Sequence, residues 1–132
     1  MPHYKKGAEF VAPLKQVKGH GSARSGTHHW MMQRLTSVAL LILMPWALWA
    51  VHAHILGASH AEVVSWVAQP LNAILAILLV ISIHYHAVLG LQTVIEDYIH
   101  HEGLKIFKLV GQRLLYTASA IACIYALISI SL

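Results

Sequence analysis

PLNAILAILLVISIHYHAVLGLQTVIEDY, residues 70–98, decides what kind of molecule this is. Its apolar run, roughly 26 residues ending at Ile95, would extend ~39 Å as a helix, more than the ~30 Å hydrocarbon core of a bilayer requires. Pro70 suits the first turn of such a helix, where its missing N–H costs nothing. Histidines interrupt the run at His84 and His86, and Glu96, Asp97 and Tyr98 end it. An ionisable side chain at membrane depth is expensive and is normally kept because it binds or reacts with something. At ~100° per residue, Ser82, His86, Gly90, Thr93 and Asp97 fall within an arc of roughly 80°, on a polar or small face. His84 lies about 160° from His86, so one helix cannot offer both imidazoles to one ligand. The stripe selects His86.

Working outward, two further spans appear. The first runs from about Leu35 to Val51, extending to Ile55, with Pro45 inside it, where the ring should kink the helix. The third runs from about Leu114 to Leu132. Residues 52–69 form a polar break, and residues 1–33 form a polar, basic arm with no apolar run. The arm lacks the core of a secretory signal, so no cleavage is expected. The expected organisation is an all-α membrane protein: arm 1–33, then a three-helix transmembrane anchor domain 34–132 with spans near 35–55, 70–95 and 114–132.

Composition agrees. Hydrophobic residues make up 58% and charged residues 11%, with mean hydropathy +0.63, outside the balance of a soluble domain. The length allows one small bundle and no second catalytic domain. The single cysteine, Cys123, excludes an intrachain disulfide and any cysteine-based cluster. Net charge is +4, but six of the nine Lys and Arg lie at or before Arg34, which points to membrane topology and not to nucleic acid. The 52–69 segment has no Lys or Arg, whereas the segment after Tyr98 carries Lys105, Lys108 and Arg113. The positive-inside rule then puts the N-terminus and the second loop in the cytoplasm and the C-terminus on the opposite side.

His86 lies about 13 Å inward of Ile95 by helical rise, a depth suited to an axial haem ligand. Gly90, one turn on, would let a flat macrocycle or a second helix approach. The plain alternative is a histidine hydrogen-bonded to a neighbouring helix. The second axial ligand would have to come from another polypeptide. Asp97, with Glu96 beside it, is electrostatically misplaced at a helix C-terminus, so a cation should compensate it, either Arg34 or one from another chain. Tyr98 is either an interfacial anchor or a phenol donating to a quinone carbonyl, with Asp97 aiding proton delivery. Arg34 either snorkels or binds an anionic group such as a haem propionate. His28 and His29 are candidates to shuttle protons, with Trp30 as an interfacial anchor.

HAVLGLQTVIEDY, residues 86–98, resembles the signature of the smaller hydrophobic membrane-anchor subunit of succinate dehydrogenase, respiratory complex II. HHWMMQRLTSVAL, residues 28–40, resembles the start of that family's first span, and the similarity covers about residues 26–132. The resemblance implies haem b held by His86 and by a histidine of a companion cytochrome b anchor subunit. It implies ubiquinone bound by Tyr98 with Asp97 beside it, Arg34 near quinone and propionates, and His28 near that site. No catalytic residue is implied on this chain alone. The implied partners are the companion anchor, an iron-sulfur subunit, a flavoprotein subunit, membrane lipid and ubiquinone, in a bacterial inner membrane more than a mitochondrial one. Electrons from succinate oxidation, in the tricarboxylic acid cycle, would pass to quinone. Two alternatives stand beside this: a haem-free anchor of a fumarate-reductase-type complex, and a small histidine-rich metal or proton transporter.

Overall fold

In lipid each backbone polar group must be satisfied within its own segment, which the helix does residue by residue. The computed structural model describes residues 26–131, and among them the chain forms helices and turns with no strand. Helix α1 covers Gly26–Ala50 and passes into a π-helical turn at Val51–Ile55. Helix α2 covers His60–Val67, α3 Pro70–Tyr98 and α4 Glu102–Ser131. Three segments are long and apolar enough to cross a membrane: Gly26–Ile55, Pro70–Tyr98 and Glu102–Ser131. The all-α, three-span expectation is met. Residues 1–25 of the basic arm and Leu132 lie outside the described residues.

The boundaries move outward from the apolar runs. Residues 26–33 already belong to α1, so its first turns are polar. Helix α4 starts at Glu102, not near Leu114, which puts Lys105, Lys108 and Arg113 on helical turns and reduces the second loop to Ile99–His101. The local cause is a cap: the backbone N–H of Leu104 donates to His101 Nδ1 at 3.3 Å, and Glu102 adds a favourable negative charge in the first turn. Helix α1 continues through Pro45, and the departure from α geometry comes later, where Leu56 N–H donates to Val51 O at 2.9 Å. Gly57, with φ of 79°, then reverses the chain in a conformation that disfavours side chains. The 52–69 break contains α2, whose start is a capping box between Ser59 and Glu62.

Helix α3 is the central element, with α1 along one side and α4 along another; α1 and α4 do not pack on each other among the described residues. Helix α2 closes the far end against α3, α4 and the π-turn. There Trp66 stacks on Trp46 (centroids 6.1 Å apart) and on His54 (5.0 Å), with Trp49 edge-on to His54. Amphipathic rings of this kind suit a membrane interface. Few side chains are buried, namely Leu43, Ala50, Ala73, Leu89 and Ile95 with the polar Thr36 and Gln112. Lipid tails are as apolar as leucine, so polar contacts and close approach carry much of the helix pairing.

Candidate functional site

One such polar contact joins α1 to α3 at His86. Thr36, only 8% exposed, lies 2.9 Å through Oγ1 from His86 Nδ1. The same hydroxyl is 2.9 Å from Met32 O and 3.0 Å from Gln33 O, to which its single proton is donated. With the proton so placed, the hydroxyl oxygen can accept from His86 Nδ1–H, the tautomer that leaves Nε2 bare. The bare Nε2 accepts from Gln33 Nε2 at 3.3 Å, a long bond. Gly90 takes the second helix that the sequence allows there: a Cβ at this position would meet Gln33 Nε2 at 3.6 Å, an ordinary contact.

His84 turns to the other side of α3. Its Nδ1–H donates to Val80 O at 2.8 Å, Nε2 accepts from the Ser119 hydroxyl at 3.1 Å, and the ring stands edge-on to Tyr116 with centroids 6.1 Å apart. The opposed directions expected from helical spacing are present. Two residues apart, the imidazoles serve different helix pairs.

At the Tyr98 end the charges are arranged otherwise than expected. Arg34 lies over the Trp30 ring, 4.7 Å from its centroid, in a cation–π contact, and does not pair with Asp97. The α3 C-terminus is instead served from α4: Lys105 Nζ donates to Glu96 O at 3.2 Å. Arg113 donates to Gln92 Oε1 at 2.9 Å, and Gln92 Nε2 donates to Glu96 Oε1 at 2.8 Å. A cation on the carbonyls of a helix end offsets its partial negative charge, and α4 supplies it because it begins one short turn after α3 ends. Asp97 is exposed and makes no hydrogen bond among the described residues. Tyr98, 78% exposed, lies on a cleft of about 590 Å³ between α3 and α4, with Val94, Phe107, Lys108 and Gln112. His28 is exposed and His29 half-buried; both line a separate cleft with Gln92, Glu96 and Arg113, into which His29 Nε2 is buried without a partner. His86, Tyr98 and His28 are thus on different sides of α3.

Gln33, Thr36, Gln92, Gln112 and Ser119 were not singled out from sequence. Gln33 and Thr36 are three apart and share a helix face, so two polar residues inside an apolar span were an available signal. No comparable pattern marks Gln112. Among the described residues no three His, Cys, Asp or Glu side chains gather as a metal site.

Residues 11–128 match the family model described as the succinate dehydrogenase/fumarate reductase transmembrane subunit. The chain is similar to the succinate dehydrogenase hydrophobic membrane anchor subunit of Rickettsia bellii, 35% identical over 89% of this chain and 94% of the relative. It is likewise similar to those of Rickettsia conorii (29% identical, 90% and 94% covered) and Paracoccus denitrificans (31%, 89% and 90%). No solved structure matches it.

Proposed function

Because the chain belongs to the succinate dehydrogenase/fumarate reductase transmembrane-subunit family, we propose that it helps bind haem b and ubiquinone while anchoring a succinate:ubiquinone oxidoreductase. The bacterial relatives and three spans are those of an inner-membrane anchor. Flavoprotein and iron-sulfur subunits would dock on its cytoplasmic side, beside a companion cytochrome b anchor subunit.

The observation that carries the haem reading is the contact between the buried Thr36 hydroxyl and His86 Nδ1. Metal-ligating histidines almost always donate their second nitrogen to a fixed acceptor, which orients the ring and raises its basicity. Thr36 is such an acceptor, and Nε2 presents a lone pair guarded only by a long amide contact. His86 would supply one histidine ligand to the haem iron, and a companion subunit would supply another. Haem, when bound, supplies a one-electron site whose potential its ligands set. This chain's share is to hold Nδ1–H on Thr36 and to offer Nε2. Arg34, carried outward on Trp30, is available to an anionic group such as a propionate. Tyr98 and Asp97 would face quinone, the phenol donating to a carbonyl and the carboxylate handling a proton, with His28 farther off. A second reading draws on the same contacts: with both nitrogens hydrogen-bonded to α1, His86 also suits a haem-free anchor in which it is structural.

The test of the quinone site is Tyr98→Phe in the assembled complex. Losing one hydrogen bond costs ~0.5–1.5 kcal/mol net, and more where the quinone oxygen is left unpaired, so quinone reduction should fall several-fold to roughly a hundred-fold. Succinate oxidation by an artificial acceptor upstream of quinone should persist. Unchanged quinone kinetics would leave Tyr98 an interfacial anchor. For the orientation, cysteine labelling in intact cells should reach position 60 from outside and not position 105; the reverse pattern would invert the bundle.

A further inference from the structure

Gln112 is the most buried polar side chain of α4, at 6% exposure, and neither Oε1 nor Nε2 has a hydrogen-bond partner. Buried polar groups are nearly always paired, and an unpaired amide inside a membrane span is costly. Gln112 lines the cleft that also holds Tyr98, between Leu91, Val94 and Ile95 on α3 and Phe107 on α4. Its volume, about 590 Å³, is that of a small-molecule site, and its character is that of one too: apolar walls with a few polar groups.

We propose that Gln112 is a second hydrogen-bonding residue for the quinone head, on the cleft it shares with Tyr98. This rests on the quinone reading of Tyr98 and extends it. A quinone ring is flat and apolar with a carbonyl at each of two opposite ends, which matches apolar walls carrying a phenol and a carboxamide. The carboxamide also handles both redox states. Its Nε2–H donates to the carbonyl of the quinone, and its Oε1 accepts from the hydroxyl of the quinol, so a rotation about the terminal torsion keeps the bond after reduction. A lysine ammonium at this depth could donate but not accept. Gly111 completes the cleft wall, and a Cβ there would meet nothing within 4 Å.

The test uses the assembled complex with a short-chain ubiquinone as acceptor. Gln112→Met keeps the length and removes both polar atoms; it should raise KM for quinone roughly three- to thirty-fold with the artificial-acceptor rate unchanged. Gly111→Leu adds an apolar side chain to the cleft wall at a position open to a Cβ and should raise KM at least as far. Photolabelling of the unmodified complex with an azido-ubiquinone should mark residues 107–115, a result independent of whether either variant assembles. Unchanged KM in both variants, or label confined to other subunits, overturns the proposal. If Tyr98→Phe alone impairs quinone reduction, the reading of Tyr98 stands and the role of Gln112 falls. If no variant of the cleft has an effect, both fall.

Discussion

His84 and His86 carry the same ring on one helix, yet they are tied down in different ways. His84 donates to the carbonyl of its own helix one turn back, and its ring is closed off edge-on by Tyr116. His86 donates across to another helix, to a buried threonine whose proton is already committed to a backbone carbonyl. The Val80 bond is local and would survive helix separation, whereas the Ser119 and Tyr116 contacts reach α4. The contact of His86 with Thr36 exists only while α1 and α3 are packed. An imidazole whose orientation is fixed by a second element is pre-organised for a ligand, whereas one folded back on its own turn chiefly satisfies its own polarity.

The largest effect that can break this comparison is His86→Ala. It should abolish haem binding, read as the haem-to-flavin ratio of the purified complex, while His84→Ala leaves the ratio near that of the unmodified complex. Equal loss in both variants would remove the distinction. Since a ligand that binds the folded state stabilises it, the emptied complex should also unfold at a lower temperature.

A smaller change sharpens the same point. Thr36→Val keeps the packing volume and leaves Nδ1–H buried without an acceptor, at a cost of ~1–3 kcal/mol. Haem affinity should drop roughly ten- to a hundred-fold, as for other hydrogen-bond partners of metal-bound histidines. Ser119→Ala, which strips the matching contact from His84, should change haem content by less than about two-fold, since it removes only an exposed hydrogen bond. A drop as large as that of Thr36→Val would contradict the assignment. Both are measured by haem titration into the apo-complex.

The smallest expected effect lies far from either histidine, at the α2 capping box. The Ser59 hydroxyl, and then its backbone N–H, hydrogen-bond the Glu62 carboxylate and hold its pKa below the ordinary value. A depressed carboxylate stabilises above its unfolded pKa, and the contribution is lost as pH falls through the folded value. The Ser59 amide resonance in lipid nanodiscs should therefore titrate only in the acid range, and Glu62→Gln should flatten it. Haem content should be indifferent to that change.

The three spans were legible because apolar runs of membrane length have few other uses, and the opposition of His84 and His86 followed from helical spacing alone. What stayed hidden depended on partners between helices. Pairing of Arg34 with Asp97 was a reasonable expectation from charge, but Trp30, one turn from Arg34, is nearer in the chain and takes the guanidinium. The start of α4 was obscured because its polar first turns, from Glu102 to Arg113, read as loop when only hydropathy is counted. Thr36 and Gln33 looked like ordinary polar residues near a span's end, and only the crossing of α1 over Gly90 gives them an imidazole to hold. Gln112 carries no sequence signal, since one glutamine among Lys, Arg and Leu resembles a solvated face until its burial is known.

As proposed above, this chain would hold haem b in a succinate-oxidising membrane complex. The most direct test is a reduced-minus-oxidised optical spectrum of the native complex isolated through a tag on this chain. The expected result is a b-type haem spectrum that co-purifies with flavin and with succinate:quinone activity. Flavin and activity without a b-type band would make His86 structural, and a bound transition metal without flavin would contradict the account altogether.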